Sequence, residues 1–290
     1  MADRSLTAAA IPGTLEFSKD GLTISALCRD NTIRTWTVET GKLTHEKKVP
    51  PRSSLLSADR WAERVDKANM RVWDLTADRQ VQIMNNVAMN RASLSSDGRW
   101  LAAASTADQR VEIREVATGK QRHVLADGIG GTAALRFSPD GGLLVSTNYD
   151  NDVRVWRTAS GELVKKMEDL TGAMFAAEFT PDGQRLVMAG LDETVYIWDT
   201  KTFALIKKLG GHGETISALA ISPDSKTIVT GGFDVLAEKN PVKVVFWDLA
   251  TGKILRTLRA PHRVASLAFS PNGKWVAMAA GENEIGLWAR

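Results

Sequence analysis

Ser138-Pro139-Asp140-Gly141, followed by Val153-Arg154-Val155-Trp156, is the stretch that decides the fold of this 290-residue chain, because both segments recur along it. Proline fixes φ, aspartate hydrogen-bonds to its own backbone and glycine adopts a positive φ, so the first segment predicts a tight turn. The second is a β-branched run typical of a short strand. The strand segment recurs seven times, and its copies end at Trp36, Trp73, Arg114, Trp156, Trp198, Trp247 and Trp288. Successive copies are separated by 37, 41, 42, 42, 49 and 41 residues.

Each copy has the pattern of strand, tight turn, strand, loop, Trp-ended strand, turn and strand. Four short antiparallel strands with apolar residues on both faces cannot bury themselves alone and need neighbours on both sides. A closed ring supplies those neighbours, whereas a solenoid would need polar caps that the sequence does not show. The periodicity of helices is absent. The sequence therefore predicts an all-β propeller of four-stranded antiparallel blades.

These segments resemble WD40 repeats, which also contain Trp-Asp pairs such as those at 73–74, 198–199 and 247–248, and a Gly-His pair such as Gly211-His212. The resemblance extends over essentially the whole chain, so we expect residues 1–290 to form one propeller. It implies seven blades and a non-catalytic platform for another protein or peptide, without a cofactor. The remaining motifs vary, so the resemblance does not identify a subfamily.

The N-terminus is a candidate to complete the last blade. The chain ends two residues after Trp288, so the seventh repeat lacks its outermost strand. Leu6 precedes Phe17 by 11 residues, the same interval by which Leu258 of an outer strand precedes Phe269. Residues 1–11 are therefore predicted to supply that strand and to pair with residues 285–288, as WD40 propellers do. The alternative is a frayed terminus.

One repeat alone carries the full polar set that the family uses to brace a blade, namely His212, Thr230, Asp234 and Trp247. In such a brace each buried polar group satisfies the next. A His–Asp–Thr set could also be catalytic, but the family's own spacing favours the structural role.

Three repeats are irregular. Residues 58–67 of the second repeat contain no glycine and carry charge where an apolar strand should lie, and the third repeat has Arg114 in the Trp position. The sixth is lengthened around residues 235–241, in the loop between its second and third strands. Two adjacent irregular repeats could mark a partner site or reflect drift.

Six residues are predicted to surround the channel mouth on the face where the family commonly binds partners. Aromatic and arginine side chains dominate interface energetics. Phe175 and Phe233 could instead pack into the blades. Tyr149 and Arg263 are the stronger candidates, because their polar loops offer nothing local to pair with. The six are Arg91, Tyr149, Phe175, Phe233, Leu236 and Arg263.

Composition excludes several other classes of protein. No run of about 18 apolar residues is present, and Met1–Pro12 makes a poor signal peptide. Cys28 is the only cysteine, so neither an internal disulfide nor a cysteine zinc cage can form. The net charge of +3 is small, which disfavours nucleic acid as a partner. We expect a cytoplasmic monomer with no metal and no membrane association.

Two other functions remain as alternatives. A propeller enzyme with a metal at the central channel needs inward carboxylates or histidines, and the repeats are expected to place small and apolar residues there. A nucleic-acid-associated platform could use basic pairs on predicted outer strands, at 47–48, 165–166 and 207–208. Lysine on exposed edge strands also prevents edge-to-edge aggregation, which is the simpler explanation of those pairs.

Overall fold

Seven four-stranded antiparallel sheets, arranged as a ring of blades, make up the computed structural model. The structure describes residues 3–51, 53–57, 60–64, 69–75, 77–84, 91–105, 110–125, 131–168, 170–233, 241–281 and 283–290. None of these segments is a helix, so none could cross a membrane as one. The predicted seven-bladed propeller is confirmed.

The strands run from the inner to the outer edge of each blade in chain order, except in blade 7. Blade 1 contains β2 (Pro12–Phe17), β3 (Thr23–Cys28), β4 (Thr32–Thr37) and β5 (Leu43–Lys48). Blade 2 contains β6 (Ser54–Ser57), β7 (Arg60–Arg64), β8 (Met70–Asp74) and β9 (Arg79–Met84). Blade 3 contains β10 (Arg91–Leu94), β11 (Trp100–Ser105), β12 (Arg110–Glu115) and β13 (Gln121–Leu125). Blade 4 contains β14 (Thr132–Phe137), β15 (Leu143–Asn148), β16 (Val153–Arg157) and β17 (Leu163–Met167).

The remaining three blades complete the ring. Blade 5 contains β18 (Met174–Phe179), β19 (Arg185–Gly190), β20 (Val195–Asp199) and β21 (Leu205–Leu209). Blade 6 contains β22 (Thr215–Ile221), β23 (Thr227–Phe233), β24 (Val242–Asp248) and β25 (Ile254–Ala260). Blade 7 contains β26 (Ser266–Phe269), β27 (Trp275–Ala279), β28 (Glu284–Ala289) and, on its outside, β1 (Arg4–Thr7).

The hydrophobic core lies between the blades. Each of seven buried clusters joins two neighbouring blades, as where Ile113 of blade 3 and Trp156 of blade 4 share one cluster. A blade with apolar side chains on both faces gains its burial energy only from its neighbours. Ring closure is therefore what completes the core.

The predicted turns form by the expected mechanism at the lower face, as we call the side where the first strand of each blade turns into the second. Ser138 Oγ donates to Asp140 Oδ1 at 2.6 Å and accepts from the Leu143 amide at 2.8 Å. Asp140 Oδ1 also accepts from the Gly142 amide at 2.9 Å, and Gly141 has a φ of +69°. The hydroxyl and amide donors lower the pKa of Asp140.

The N-terminal strand closes the ring, which confirms that prediction. β1 pairs with β28 in the register Arg4↔Leu287 through Thr7↔Glu284. The pairing is continued on both sides, by the Ala289 amide donating to Asp3 Oδ2 at 2.6 Å and the Ala8 amide donating to Asn283 O at 2.7 Å. At the inner edge of the same seam, the Leu15 amide donates to Ser266 Oγ at 3.2 Å.

Blade 2 forms four strands despite its irregular sequence. Trp61 and Trp73 stack with centroids 5.7 Å apart, and Lys47 Nζ of blade 1 lies 5.0 Å from the Trp73 ring centroid. The buried Glu63 accepts from Trp73 Nε1 at 3.0 Å and from Arg71 Nη1 at 3.3 Å. The charged stretch thus contributes a buried polar network, although residues 58–59 and 65–67 lie outside the described ranges.

Blade 3 replaces its tryptophan with a buried ion pair. Arg114 and Glu112 are both buried, and Arg114 Nε donates to Glu112 Oε2 at 2.9 Å. Arg114 Nη1 also donates to Gly119 O at 3.1 Å. The guanidinium therefore fills the Trp position with its donors satisfied by the same blade.

Candidate binding face and central channel

The upper face of the ring carries the loops that join the second and third strands of each blade and the loops between blades. Four of the six predicted partner-binding residues come together there, on four consecutive blades. Tyr149 follows β15, Phe175 is the second residue of β18, Phe233 ends β23 and Arg263 precedes β26.

These four side chains form a continuous row, here called the aromatic row. The ring centroids of Tyr149 and Phe175 are 6.0 Å apart with an interplanar angle of 53°. Those of Phe175 and Phe233 are 6.2 Å apart at 46°, and Arg263 Cζ lies 4.8 Å from the Phe233 centroid. Tilted rings at these distances, and a guanidinium over a ring, attract each other.

Tyr149 and Arg263 do have ring contacts in the structure, but not with residues of their own loops. Their partners, Phe175 and Phe233, belong to other blades and are brought close only by the ring. Tyr149 is still 54% exposed, Arg263 is exposed, and both phenylalanines are half-buried. Neither phenylalanine belongs to an interblade core cluster, so the row lies on the surface of the ring.

The two other predicted residues are not part of the row. Arg91 is exposed at the start of β10 in blade 3, where it lines the upper part of the central channel. Leu236 lies outside the described residues, as does the rest of 234–240. The lengthened loop does fall between the second and third strands of blade 6, β23 and β24, as the sequence predicted.

Leu191 is an exposed apolar residue on the upper face that the sequence reasoning missed. It follows β19 in blade 5, at the repeat position of Tyr149 in blade 4 and Phe233 in blade 6, and it is 48% exposed. Its amide donates to Ala173 O at 2.9 Å. The preceding Gly190 permits this approach, because a Cβ there would lie 1.9 Å from the same oxygen. Aligning the repeats position by position would have revealed Leu191.

The structure describes three of the four brace residues of blade 6, His212, Thr230 and Trp247, and it shows one link between them. Trp247 Nε1 donates to Thr230 Oγ1 at 2.9 Å, in a buried position. His212 is fully buried, and its Nδ1 lies 3.1 Å from Glu214 O. Burial lowers the pKa of His212 to about 4, and the nearby Lys243 ammonium acts in the same direction. Asp234 lies outside the described residues.

The central channel contains charged groups that the sequence reasoning did not anticipate. The inner strands of all seven blades line a cavity of about 500 Å³. Near its lower end Arg136 Nε donates to Glu178 Oε1 at 2.5 Å, and Glu16 projects from the blade opposite Arg136. The expectation of small and apolar residues is therefore wrong for blades 1, 4 and 5. In each of these blades the charged residue immediately precedes a phenylalanine at the end of the inner strand.

The electrostatics of this cluster are asymmetric. Desolvation raises the pKa of Glu16 to about 7; the Arg136 charge opposes this shift and the Glu178 charge adds to it. The carboxylate of Glu178 in turn raises the pKa of Arg136. No group of three or more His, Cys, Asp or Glu side chains that could hold a metal ion occurs in the described part of the chain.

Several basic residues of the outer strands contact neighbouring residues. Lys47 forms an ion pair with Asp78 of blade 2. Lys207 Nζ donates to Ala250 O of blade 6, and Lys208 Nζ lies 5.3 Å from the Tyr196 ring centroid. Several of these cations therefore link strands or blades.

Comparison with known proteins supports the repeat structure. The family model described as "WD domain, G-beta repeat" matches residues 120–157, 162–199, 203–234 and 252–288, which together cover half of the chain. None of the curated proteins compared with the chain matches it. A chain in the "Crystal Structure of Mitotic Checkpoint Complex" is similar with a TM-score of 0.82 and 17% identity, over 100% of this chain and 94% of that chain. At this identity the likeness establishes the fold alone.

Proposed function

The chain belongs to the WD40-repeat family, and from that premise we propose that it is a non-catalytic scaffold that binds another protein or a peptide through its upper face. The observation that supports this proposal is the aromatic row of Tyr149, Phe175, Phe233 and Arg263. The family generally acts by protein interaction, and this row supplies a specific surface for it.

The row has the composition of an interface centre. Tyrosine, phenylalanine and arginine are enriched where partners bury most of their binding energy. Tyr149 has a large side chain that remains about half exposed, and so does Leu191, which occupies the same repeat position in the next blade. A partner that covered them would gain the free energy of burying their surface.

The row is also held in place before any partner arrives. The Phe175 ring contacts the rings of both Tyr149 and Phe233, and Arg263 lies over the Phe233 ring. Little side-chain entropy would therefore be lost when a partner binds, which favours affinity. The four residues lie at or near strand ends on four blades, so the surface depends on the intact ring.

We further propose that the protein acts in the cytoplasm and as a monomer on its own. Its single cysteine, Cys28, is buried and free, a state that suits a reducing compartment.

The test is affinity purification of the full chain from native extract, followed by a binding titration with the purified protein that co-elutes. Tyr149→Ala with Arg263→Ala is expected to weaken saturable binding by about 1–2 kcal/mol per position, without a change in melting temperature. Both side chains are exposed, so their loss should leave the core intact.

The matched control is Lys19→Ala with Leu22→Ala, which also removes one exposed cation and one exposed large side chain, but from the lower face. This variant should bind like the wild type. Full affinity in the Tyr149 and Arg263 double variant would place the partner on the side of the ring or on the lower face.

A further inference from the structure

The side chain of Glu16 is the one group of the lower channel whose charge is left uncompensated. It is half-buried on β2 and makes no hydrogen bond or ion pair with any other residue that the structure describes. The cation whose charge acts on Glu16, Arg136, already donates to Glu178 at 2.5 Å. Once Arg136 is paired with Glu178, the carboxylate of Glu16 is left without a cationic partner in the lower channel.

The other inner strands add no charge at this level. In most blades the corresponding residue is the second before the Ser or Thr that begins the lower turn; in blade 2 a register shift makes it the third, Ser54. In the four other blades it is uncharged, namely Ser54, Ser93, Ala220 and Ala268. The remaining charged residue of the channel lining, Arg91, lies two residues higher on β10, towards the upper face.

We propose that the lower channel binds an organic cation, a guanidinium or primary ammonium group, with Glu16 as its counter-ion and the Arg136–Glu178 pair as the opposite wall. This site goes beyond the proposed scaffold function, and it lies at the other end of the channel from the aromatic row. The occupant would be either a basic side chain of a protein or a free polyamine, which share this chemistry.

Size and ligand number favour an organic cation over a metal ion. A cavity of about 500 Å³ can hold an alkylammonium or guanidinium group together with several waters, each of which needs about 30 Å³. Calcium, by contrast, requires about 6–8 oxygen ligands, and magnesium requires an octahedral set. A single carboxylate is sufficient for a guanidinium or an ammonium, because both bind it by charge-assisted hydrogen bonds.

Cation binding would also remove an energetic penalty. An ionised carboxylate that is partly desolvated and has no partner is unfavourable, and without a cation Glu16 reduces this penalty by taking up a proton. Desolvation and the charge of Glu178 raise the pKa of Glu16 to about 7, against the effect of Arg136. A bound cation should therefore displace that proton, and affinity should increase as the pH rises through this value.

The experiment is an NMR titration of the full chain with four probes: N-acetyl-arginine amide, N-acetyl-lysine amide, putrescine and the neutral N-acetyl-citrulline amide. We expect saturable binding of at least one cation and none of citrulline. Affinity at pH 8 should exceed that at pH 6 by about tenfold, which is the ratio of ionised Glu16 at the two pH values. Tighter binding of the capped amino acids would assign the site to a protein side chain, and tighter binding of putrescine to a polyamine.

Glu16→Gln keeps the shape of the side chain and removes its charge, so it should weaken binding at least tenfold while the fold, monitored by the same spectra, is retained. Glu39→Gln, an exposed glutamate of the same blade, should bind like the wild type. The proposal is overturned if Glu16→Gln binds as tightly as the wild type, if citrulline binds equally well, or if no cation shows saturable binding up to about 100 mM, a concentration that saturates a site with a Kd of about 1 mM. The probes are small and need no partner protein, so the result does not depend on the aromatic row.

Discussion

Leu6 on the first strand of the chain lies directly opposite Ile285 on the last, and both side chains are fully buried. They belong to the interblade cluster that also contains Leu15 and Trp36 of blade 1. The N-terminal strand therefore completes both the last sheet and the hydrophobic interface between the last blade and the first.

Removal of this strand should open the ring. Deletion of residues 1–10 should lower the melting temperature and cause aggregation, because it exposes the edge of β28 and the cluster beneath it. Leu6→Ala should lower the free energy of unfolding by about 2–4 kcal/mol through the cavity it leaves.

Chemical denaturation measures both effects, and Ser5→Ala is the control because Ser5 is an exposed neighbour on the same strand. It should change stability by less than about 0.5 kcal/mol. A deletion variant that melts like the full chain would show that the N-terminal strand does not hold the ring closed.

Restoring the missing tryptophan of blade 3 should destabilise the protein. Arg114→Trp conforms to the repeat pattern, but it leaves the buried Glu112 without its guanidinium partner. Breaking a buried ion pair by removal of one partner costs about 3 kcal/mol. The addition of Glu112→Val, which reproduces Val245 at the same position of blade 6, should recover most of the loss.

Denaturation curves of the two variants and the wild type provide the measurement. Wild-type stability in Arg114→Trp alone would mean that the ion pair contributes little and that blade 3 has drifted without compensation.

The sequence contains most of the information about the fold because the fold is made of local signals. Turns such as Ser138–Gly141 and strands such as Val153–Trp156 depend on their own residues, and their repetition specifies the ring. Even the pairing of the N-terminal strand with the last strand follows from the spacing of the repeats. Local turn and strand signals, together with the spacing of the repeats, therefore predict the blades.

The surface and the channel were harder to predict, because they depend on contacts between blades. Tyr149 and Phe175 each look like a loop or strand residue alone, and their contact exists only because blades 4 and 5 are neighbours. Glu16, Arg136 and Glu178 each look like a polar strand residue facing water. Only a comparison of the same position in all seven repeats would show that they share one level of the channel.

The buried His212 should make stability fall at acidic pH. Its pKa is about 4 in the folded state, below the ordinary value of 6.5, because burial disfavours the imidazolium. The unfolded chain therefore binds a proton between these values that the folded chain excludes. The stabilisation is fully present above pH 6.5 and is lost as the pH falls, by about 3 kcal/mol near pH 4.

The measurement is the free energy of unfolding between pH 7 and pH 4.5 for the wild type and His212→Gln. The variant should be less stable at pH 7 and should lose less stability on acidification. Parallel curves for the two proteins would show that His212 does not titrate in this range.

Glu16 should have the opposite effect on stability. Its pKa is raised to about 7 in the folded state, above the ordinary value of 4.5, so the folded protein retains a proton that the unfolded chain releases. Stability from the protonated carboxyl is complete below pH 4.5 and is lost as the pH rises through 7. Glu16→Gln mimics the protonated form, so it should match the wild type near pH 4.5 and be the more stable protein at pH 8.

Glu178→Gln tests whether the charges of the channel contribute to the raised pKa of Glu16. Desolvation is the main cause of the raised pKa of Glu16, and Glu178→Gln removes the negative charge that adds to it and releases Arg136 from its ion pair, so Glu16 should titrate closer to 4.5. Carbon-13 NMR of the glutamate carboxyls can follow this directly in both proteins. Titration of Glu16 near 4.5 already in the wild type would contradict the prediction, because it would mean that water or a neighbouring charge fully compensates this carboxylate in the channel.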